Sequence, residues 1–152
     1  MKIYVIDKNI VAIAQKDVLK IDNAEVYDVE NIPNDYRKYD FIDGKFVLNE
    51  EKEAKIKELE AEEVKKQIEK RATEFVKKQL DALDYDNEGE VALYATNEDS
   101  EWHDEAVALQ KWIEEIYKKM YELEESVTID NYSEIDLNKI EAEYPVFEKG
   151  AE

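Results

Sequence analysis

The sequence predicts an α+β protein: a small N-terminal β-meander followed by a long helix and an antiparallel helical hairpin. Three observations predict it. Short β-branched and aromatic runs crowd the first 48 residues. No Gly or Pro interrupts the chain between Gly44 and Gly89, a stretch made mostly of strong helix formers. Apolar residues then recur at steps of four and three from Trp102 to Leu123. Three segments follow: a small β domain at 1–48, a long connecting helix at 49–85, and an acidic helical region at 86–152 that packs back on the second half of that helix.

In the first segment, Ile3-Tyr4-Val5-Ile6 and Ile10-Val11-Ala12-Ile13 flank Asp7-Lys8-Asn9, the composition of a tight hairpin loop. Ala24 to Val29 reads as a third strand, ended by the turn residues Ile32-Pro33-Asn34-Asp35. Tyr39-Asp40-Phe41-Ile42 and Lys45-Phe46-Val47-Leu48 enclose Asp43-Gly44, the preferred pair for a type I′ hairpin.

Asn49 is a helix N-cap, and Glu50, Glu51 and Glu53 place negative charge on the positive end of the helix dipole. Val64, Ile68, Ala72, Phe75 or Val76, Leu80 and Leu83 form one apolar face, whereas Ile56 and Leu59 alone serve the first half. Glu51/Lys55, Glu53/Lys57, Glu62/Lys66 and Glu74/Lys78 are i, i+4 pairs worth a few tenths of a kcal/mol each. Asp84 to Ser100 is a connector with one helical turn around Val91–Tyr94, and Ser100 caps a second long helix running to about Glu125. There Trp102, Ala106, Leu109, Ile113, Ile116, Met120 and Leu123 match the stripe on the preceding helix. The match predicts a hairpin; self-association through a coiled coil is the competing use of the same pattern. Ser133 caps a last short helix carrying Ile135, Leu137 and Ile140, Pro145 stops it, and residues 148–152 form a loose tail.

Charge narrows the functional classes. The chain holds 40 acidic and 21 basic residues, and residues 86–152 alone hold 20 acids against 5 bases. Nucleic-acid binding is disfavoured, because a basic face is its usual footprint. The acidic surface is either solvated, a dock for a basic partner, or an imitation of DNA. No cysteine is present, which removes disulfides and thiolate chemistry, and no apolar run is long enough to span a membrane or act as a signal peptide.

Few residues suggest chemistry. His103 is the single histidine and stands near a helix start beside Asp104 and Glu105. Asp84-Tyr85-Asp86-Asn87-Glu88-Gly89 imitates the opening of a calcium-binding EF-hand loop, but its ninth and twelfth positions are Ala92 and Ala95. No phosphate loop, nucleophile elbow or cysteine nucleophile occurs, so a non-enzyme without cofactor or metal is expected. The aromatic residues are more informative. Phe41, Phe46, Trp102, Trp112 and Tyr117 are the candidate interface residues, since exposed rings anchor protein contacts. The alternative use of these rings is to fill a narrow helical hairpin.

Two parts of the chain resemble small proteins encoded among phage and prophage tail genes. One is Ile32-Pro33, then Tyr36-Arg37-Lys38-Tyr39, then Ile42-Asp43-Gly44-Lys45-Phe46-Val47 leading into a charged helix. The other is Tyr94 followed by Trp102-His103-Asp104-Glu105-Ala106-Val107-Ala108-Leu109-Gln110-Lys111-Trp112, similar to the aromatic, Glu-Ala-x-Ala-Leu and Trp segment of tail-fibre and tail-assembly accessory proteins. Ile135, Ile140 and Tyr144-Pro145 resemble the short helix that closes them. Where relatives carry Trp-Arg this chain has Trp112-Ile113, so an anion contact from that arginine does not carry over. The resemblance implies a structural or assembly role with a tail or tail-fibre protein as partner, in the host cytoplasm during assembly or in the virion tail. The runner-up function is an acidic DNA-mimic inhibitor of host defence.

Overall fold

A computed structural model of the chain describes residues 1–16 and 19–149. The chain divides into two compact units, Met1–Leu59 and Glu60–Glu152, and the division falls inside the long helix. The α+β class is as predicted: an antiparallel five-stranded sheet precedes the helices.

In the first unit, β1 (Lys2–Ile6), β2 (Asn9–Ala14), β3 (Glu25–Asp28), β4 (Tyr39–Ile42) and β5 (Lys45–Leu48) lie in the order β3-β1-β2-β4-β5. The two predicted hairpins are present, but the sheet is not a sequential meander. After β2 the chain returns to the far side of β1 to lay down β3, then comes back to pair β4 beside β2. This brings the β-branched residues of β1 to the centre, where Ile3 and Val5 are buried with Phe41 and pack against Ile10, Ile13 and Tyr27. Asp7 and Lys8 both have positive φ (45° and 63°), as do Asp43 and Gly44 (49° and 77°). Two consecutive left-handed residues define a type I′ turn, so both hairpins use it. A bulge opposite Tyr4 and Val5 leaves Val11 without a partner in the β1–β2 register.

The predicted Asn49 cap is formed. Its Oδ1 accepts from the Lys52 amide at 3.1 Å while its Nδ2 donates to Asp40 Oδ2 at 3.1 Å. Asp40 is the one buried charged residue among those described, and Lys52 Nζ stands 2.6 Å from its other oxygen. That ion pair holds the Asp40 carboxyl below its usual pKa.

The long helix α1 runs Glu50–Ala82 and ends in a Schellman motif. Asp84 is left-handed (φ 62°), its amide bonds Asp81 O at 3.3 Å, and the Tyr85 amide bonds Leu80 O at 3.0 Å. Tyr85 and Leu80 are both buried, the apolar contact that accompanies this cap. Of the four predicted i, i+4 pairs, Glu53/Lys57 closes to 3.7 Å; Lys55, Lys65 and Lys70 instead meet Glu58, Glu62 and Glu74.

In the second unit, the connector is more helical than one turn: α2 spans Glu88–Ala95, capped by Asn87, whose Oδ1 accepts from the Glu90 amide at 3.1 Å. The stretch resembling a calcium loop is thus used to end one helix and start the next. The second long helix, α3, runs His103–Ser126 with Trp102 at its N-cap and no side-chain cap; the expected cap Ser100 falls two residues earlier, in a turn where its Oγ accepts from the Trp102 amide at 3.2 Å. Contacts between α1 and α3 step in opposite directions along the two helices: Phe75 packs on Trp112, and Glu124 at the far end of α3 feels Glu69 and Glu62. The hairpin is therefore antiparallel. Its core holds Ile68, Ala72, Val76 and Leu80 from α1 with Ala106, Leu109, Ile113 and Ile116 from α3. Because that stripe is buried within the unit, it is not available for a coiled coil with another copy.

The C-terminal segment is 3-10 rather than α-helical, over Tyr132–Glu134 and Leu137–Glu143, and Asp136 rather than Ser133 caps the longer piece. Arg71 fastens it to α1, with Nη1 3.2 Å from Glu141 and Nη2 3.3 Å from Asn138. Glu148 and Lys149 are exposed; the remainder of the expected tail, 150–152, lies outside the described residues. No helix of the described residues is long and apolar enough to cross a membrane.

Candidate interaction cleft

The five aromatic residues singled out above have different fates. Phe41 is buried, its ring 4.8 Å from Tyr27 and 5.2 Å from Phe46, and Phe46 is half-buried beside it. Trp112 is buried between Phe75 and Phe147, and its Nε1 donates to Pro145 O at 2.7 Å. Tyr117 is half-buried, its hydroxyl donating to Glu88. An outward-facing role is therefore withdrawn for Phe41 and Trp112. Each lies where strand or helix periodicity turns a large ring to the inside, and rings stacked at these distances serve packing. Trp102 differs: it is 48% exposed at the first turn of α3.

Trp102 stands at the mouth of a cleft of about 330 Å³. Its ring lies 5.1 Å from Tyr94 of α2, and Tyr94 lies 6.1 Å from Tyr85, which follows α1. The Schellman turn places Tyr85, the Asn87 cap sets the start of α2 that carries Tyr94, and Trp102 is itself the N-cap residue of α3. His103 Nδ1 lies 3.3 Å from Tyr94 O and ties α2 to α3; the carbonyl can only accept, so Nδ1 carries the proton. The helix-start reading of His103 fits this place.

Carboxylates line the cleft. Tyr94 Oη donates to Glu90 Oε1 at 3.2 Å, and Tyr85 Oη donates to Glu105 Oε1 at 3.2 Å. Glu90 Oε2 accepts from the Asp86 amide at 2.7 Å, and Glu105 Oε2 meets Lys149 Nζ at 2.7 Å. Burial, reinforced by Glu105, pushes the Tyr85 hydroxyl up to about 12, and the hydrogen bond to Glu90 raises that of Tyr94. Both hydroxyls stay protonated at neutral pH, so neither serves as a nucleophile or base. Tyr85, Tyr94 and their two carboxylate partners thus form a hydrogen-bonded wall of the cleft.

A second, smaller cleft of about 290 Å³ in the first unit joins Tyr36, Arg37 and Tyr39 to Lys52, Lys55 and Ile56. Its cations are already engaged: Lys52 on Asp40, Lys55 on Glu58, Arg37 on Asp35.

Sequence reasoning named Trp102 but missed Tyr85, Glu90, Glu105 and Lys149 as its companions. Tyr85, Tyr94 and Glu105 each stand in a local pattern of the sequence, but none of those patterns marks them as lining one cleft with Trp102. Comparison with protein-family models, curated protein sequences and solved structures gives no match for this chain.

Proposed function

We propose that this chain is a non-enzymatic phage tail-associated protein, an adaptor or fibre-assembly chaperone that grips a tail or tail-fibre protein. The observation that carries the gripping role is Trp102, a large ring left half in water against Tyr94 in a cleft lined by carboxylates. Soluble proteins place such rings at contact surfaces, where aromatic anchors dominate binding energy. The tail assignment rests on the resemblance of the 32–47 and 94–112 segments to tail accessory proteins.

A second reading, the acidic DNA mimic, is favoured by one observation: residues 60–152 hold 27 acids against 11 bases. The two readings part on salt. A mimic binds through solvent-exposed charge and is released as ionic strength rises. A partner seated on Trp102 in a partly dehydrated cleft is screened much less. The test is affinity capture of the full-length protein from cells assembling phage tails, washed at about 1 M ionic strength, where the Debye length is about 3 Å. Retention of a tail or fibre polypeptide supports the adaptor. Capture only of a basic nucleic-acid enzyme, lost in that wash, would replace it with the mimic.

A further inference from the structure

We infer that the cleft formed by Tyr85, Tyr94 and Trp102 is a receptor for a lysine side chain of the protein partner, and that the chain's own Lys149 is a built-in competitor for it. The inference rests on the adaptor reading for the partner being a protein; the recognition chemistry stands on the cleft itself.

Aromatic faces attract cations through the ring quadrupole, tryptophan best, and an array of rings beside a carboxylate is the general solution for holding an ammonium group. Here the rings are in place, and Glu105 supplies the charge. Its side chain is 16% exposed, and a carboxylate partly withdrawn from water is favoured by a cation standing against it. Lys149 meets that need at 2.7 Å, yet the Lys149 side chain is 73% exposed. A well-shielded anion is thus held by a poorly held cation. Phe147 anchors this segment on Trp112, but the Lys149 side chain beyond it is mostly in water, so it can leave Glu105 without unseating that ring. An incoming lysine that also lays its stem on Trp102 gains ring contact that Lys149, mostly in water, lacks.

The hydrogen bonds select the kind of cation. Oε1 of Glu105 is taken by Tyr85, and both oxygens of Glu90 are taken by Tyr94 and the Asp86 amide. Once Lys149 leaves, one carboxylate oxygen, Glu105 Oε2, is released. An ammonium needs one such oxygen, whereas a guanidinium fork is served by two in parallel. A guanidinium fork would have to share Oε1 with the Tyr85 hydroxyl, so the cleft favours lysine over arginine.

The built-in competitor lowers the apparent affinity by the fraction of molecules in which it is bound. An ion pair with its cation mostly in water gives an occupancy whose removal should tighten binding about two- to sixfold. The experiment is a titration of the full-length ¹⁵N-labelled protein with blocked Gly-X-Gly tripeptides, where X is lysine, arginine or norleucine. The readout is the Trp102 indole N–H signal, assigned by its loss in Trp102→Phe. The lysine peptide should shift it saturably, the arginine peptide more weakly and the norleucine peptide not at all. Lys149→Gln should bind the lysine peptide about two- to sixfold tighter, and Glu105→Gln should lose the response with its helical circular dichroism unchanged. An equal response to norleucine would overturn the cation site. Equal or weaker binding by Lys149→Gln would overturn the competitor, and tighter binding of arginine would overturn the selectivity. Failure of the adaptor reading shows separately, as a lysine response intact in a protein that captures no tail polypeptide.

Discussion

Leu109→Ala tests the helical hairpin on which the cleft is built. Leu109 is fully buried in α3, facing the α1 stripe. The substitution deletes three carbons, worth about 2.4 kcal/mol of transfer free energy at about 0.8 per carbon. If the core closes only in part, a residual cavity on the order of 50 Å³ adds about 1.2 kcal/mol. The expected loss is therefore about 3–4 kcal/mol. Leu93→Ala on α2 is the control, because Leu93 is 64% exposed and its truncation should cost less than about 0.5 kcal/mol. Urea unfolding followed by tryptophan fluorescence is the assay, since both tryptophans lie in residues 60–152 and report on that unit. With a slope of about 2 kcal/mol/M, the Leu109→Ala midpoint should fall by about 1.5–2 M. Equal midpoints for the two variants would refute the packing of α3 on α1.

Four further outcomes follow from particular contacts. Asp84→Gly should stabilise by about 0.5–1 kcal/mol in thermal unfolding, because glycine adopts the left-handed cap at Asp84 without the side-chain penalty. Tyr144→Phe should be neutral or stabilising by up to about 1 kcal/mol in urea, because the buried Tyr144 hydroxyl has no hydrogen-bond partner among the described residues. Asp40, held below its usual pKa first by Lys52, contributes stability that is present above the unfolded carboxyl pKa. That contribution is lost as pH falls through the lower folded value, so an acid titration of Asp40→Asn should lack this loss. Glu124 has the opposite sign: burial, then repulsion from Glu69, raises its pKa, so its protonated form is favoured on folding. That gain is complete below the unfolded pKa and disappears as pH rises through the folded one, so Glu124→Gln should raise the melting temperature at pH 7 but not at pH 4.

Periodicity and turn chemistry made most of the fold legible. Asp43-Gly44 announced its hairpin, and the four-three steps of Leu109, Ile113 and Ile116 announced the buried face of α3. The strand order was not legible, because the return of β3 to the edge of β1 depends on pairing between Lys2–Val5 and Glu25–Asp28, not on any local signal. The site was less legible than the fold. Phe41 and Trp102 look alike in a sequence as large rings in amphipathic runs, and only the fold decides that one is buried and the other left at a rim. Tyr85, Tyr94, Glu105 and Lys149 come from a post-helix turn, a short helix, a long helix and the C-terminal segment. Nothing in their spacing marks them as neighbours, since the Schellman turn at Asp84, the Asn87 cap and the turn at Ser100 bring them together.

If Trp102 grips a tail partner, as proposed, complementation reads that grip out in infectious particles. Under the proposed tail role, deletion of the gene should abolish infectious particles, wild-type protein and Leu93→Ala should restore them, and Trp102→Ala should fail to do so while remaining folded and soluble. Particles restored equally by Trp102→Ala would contradict the account.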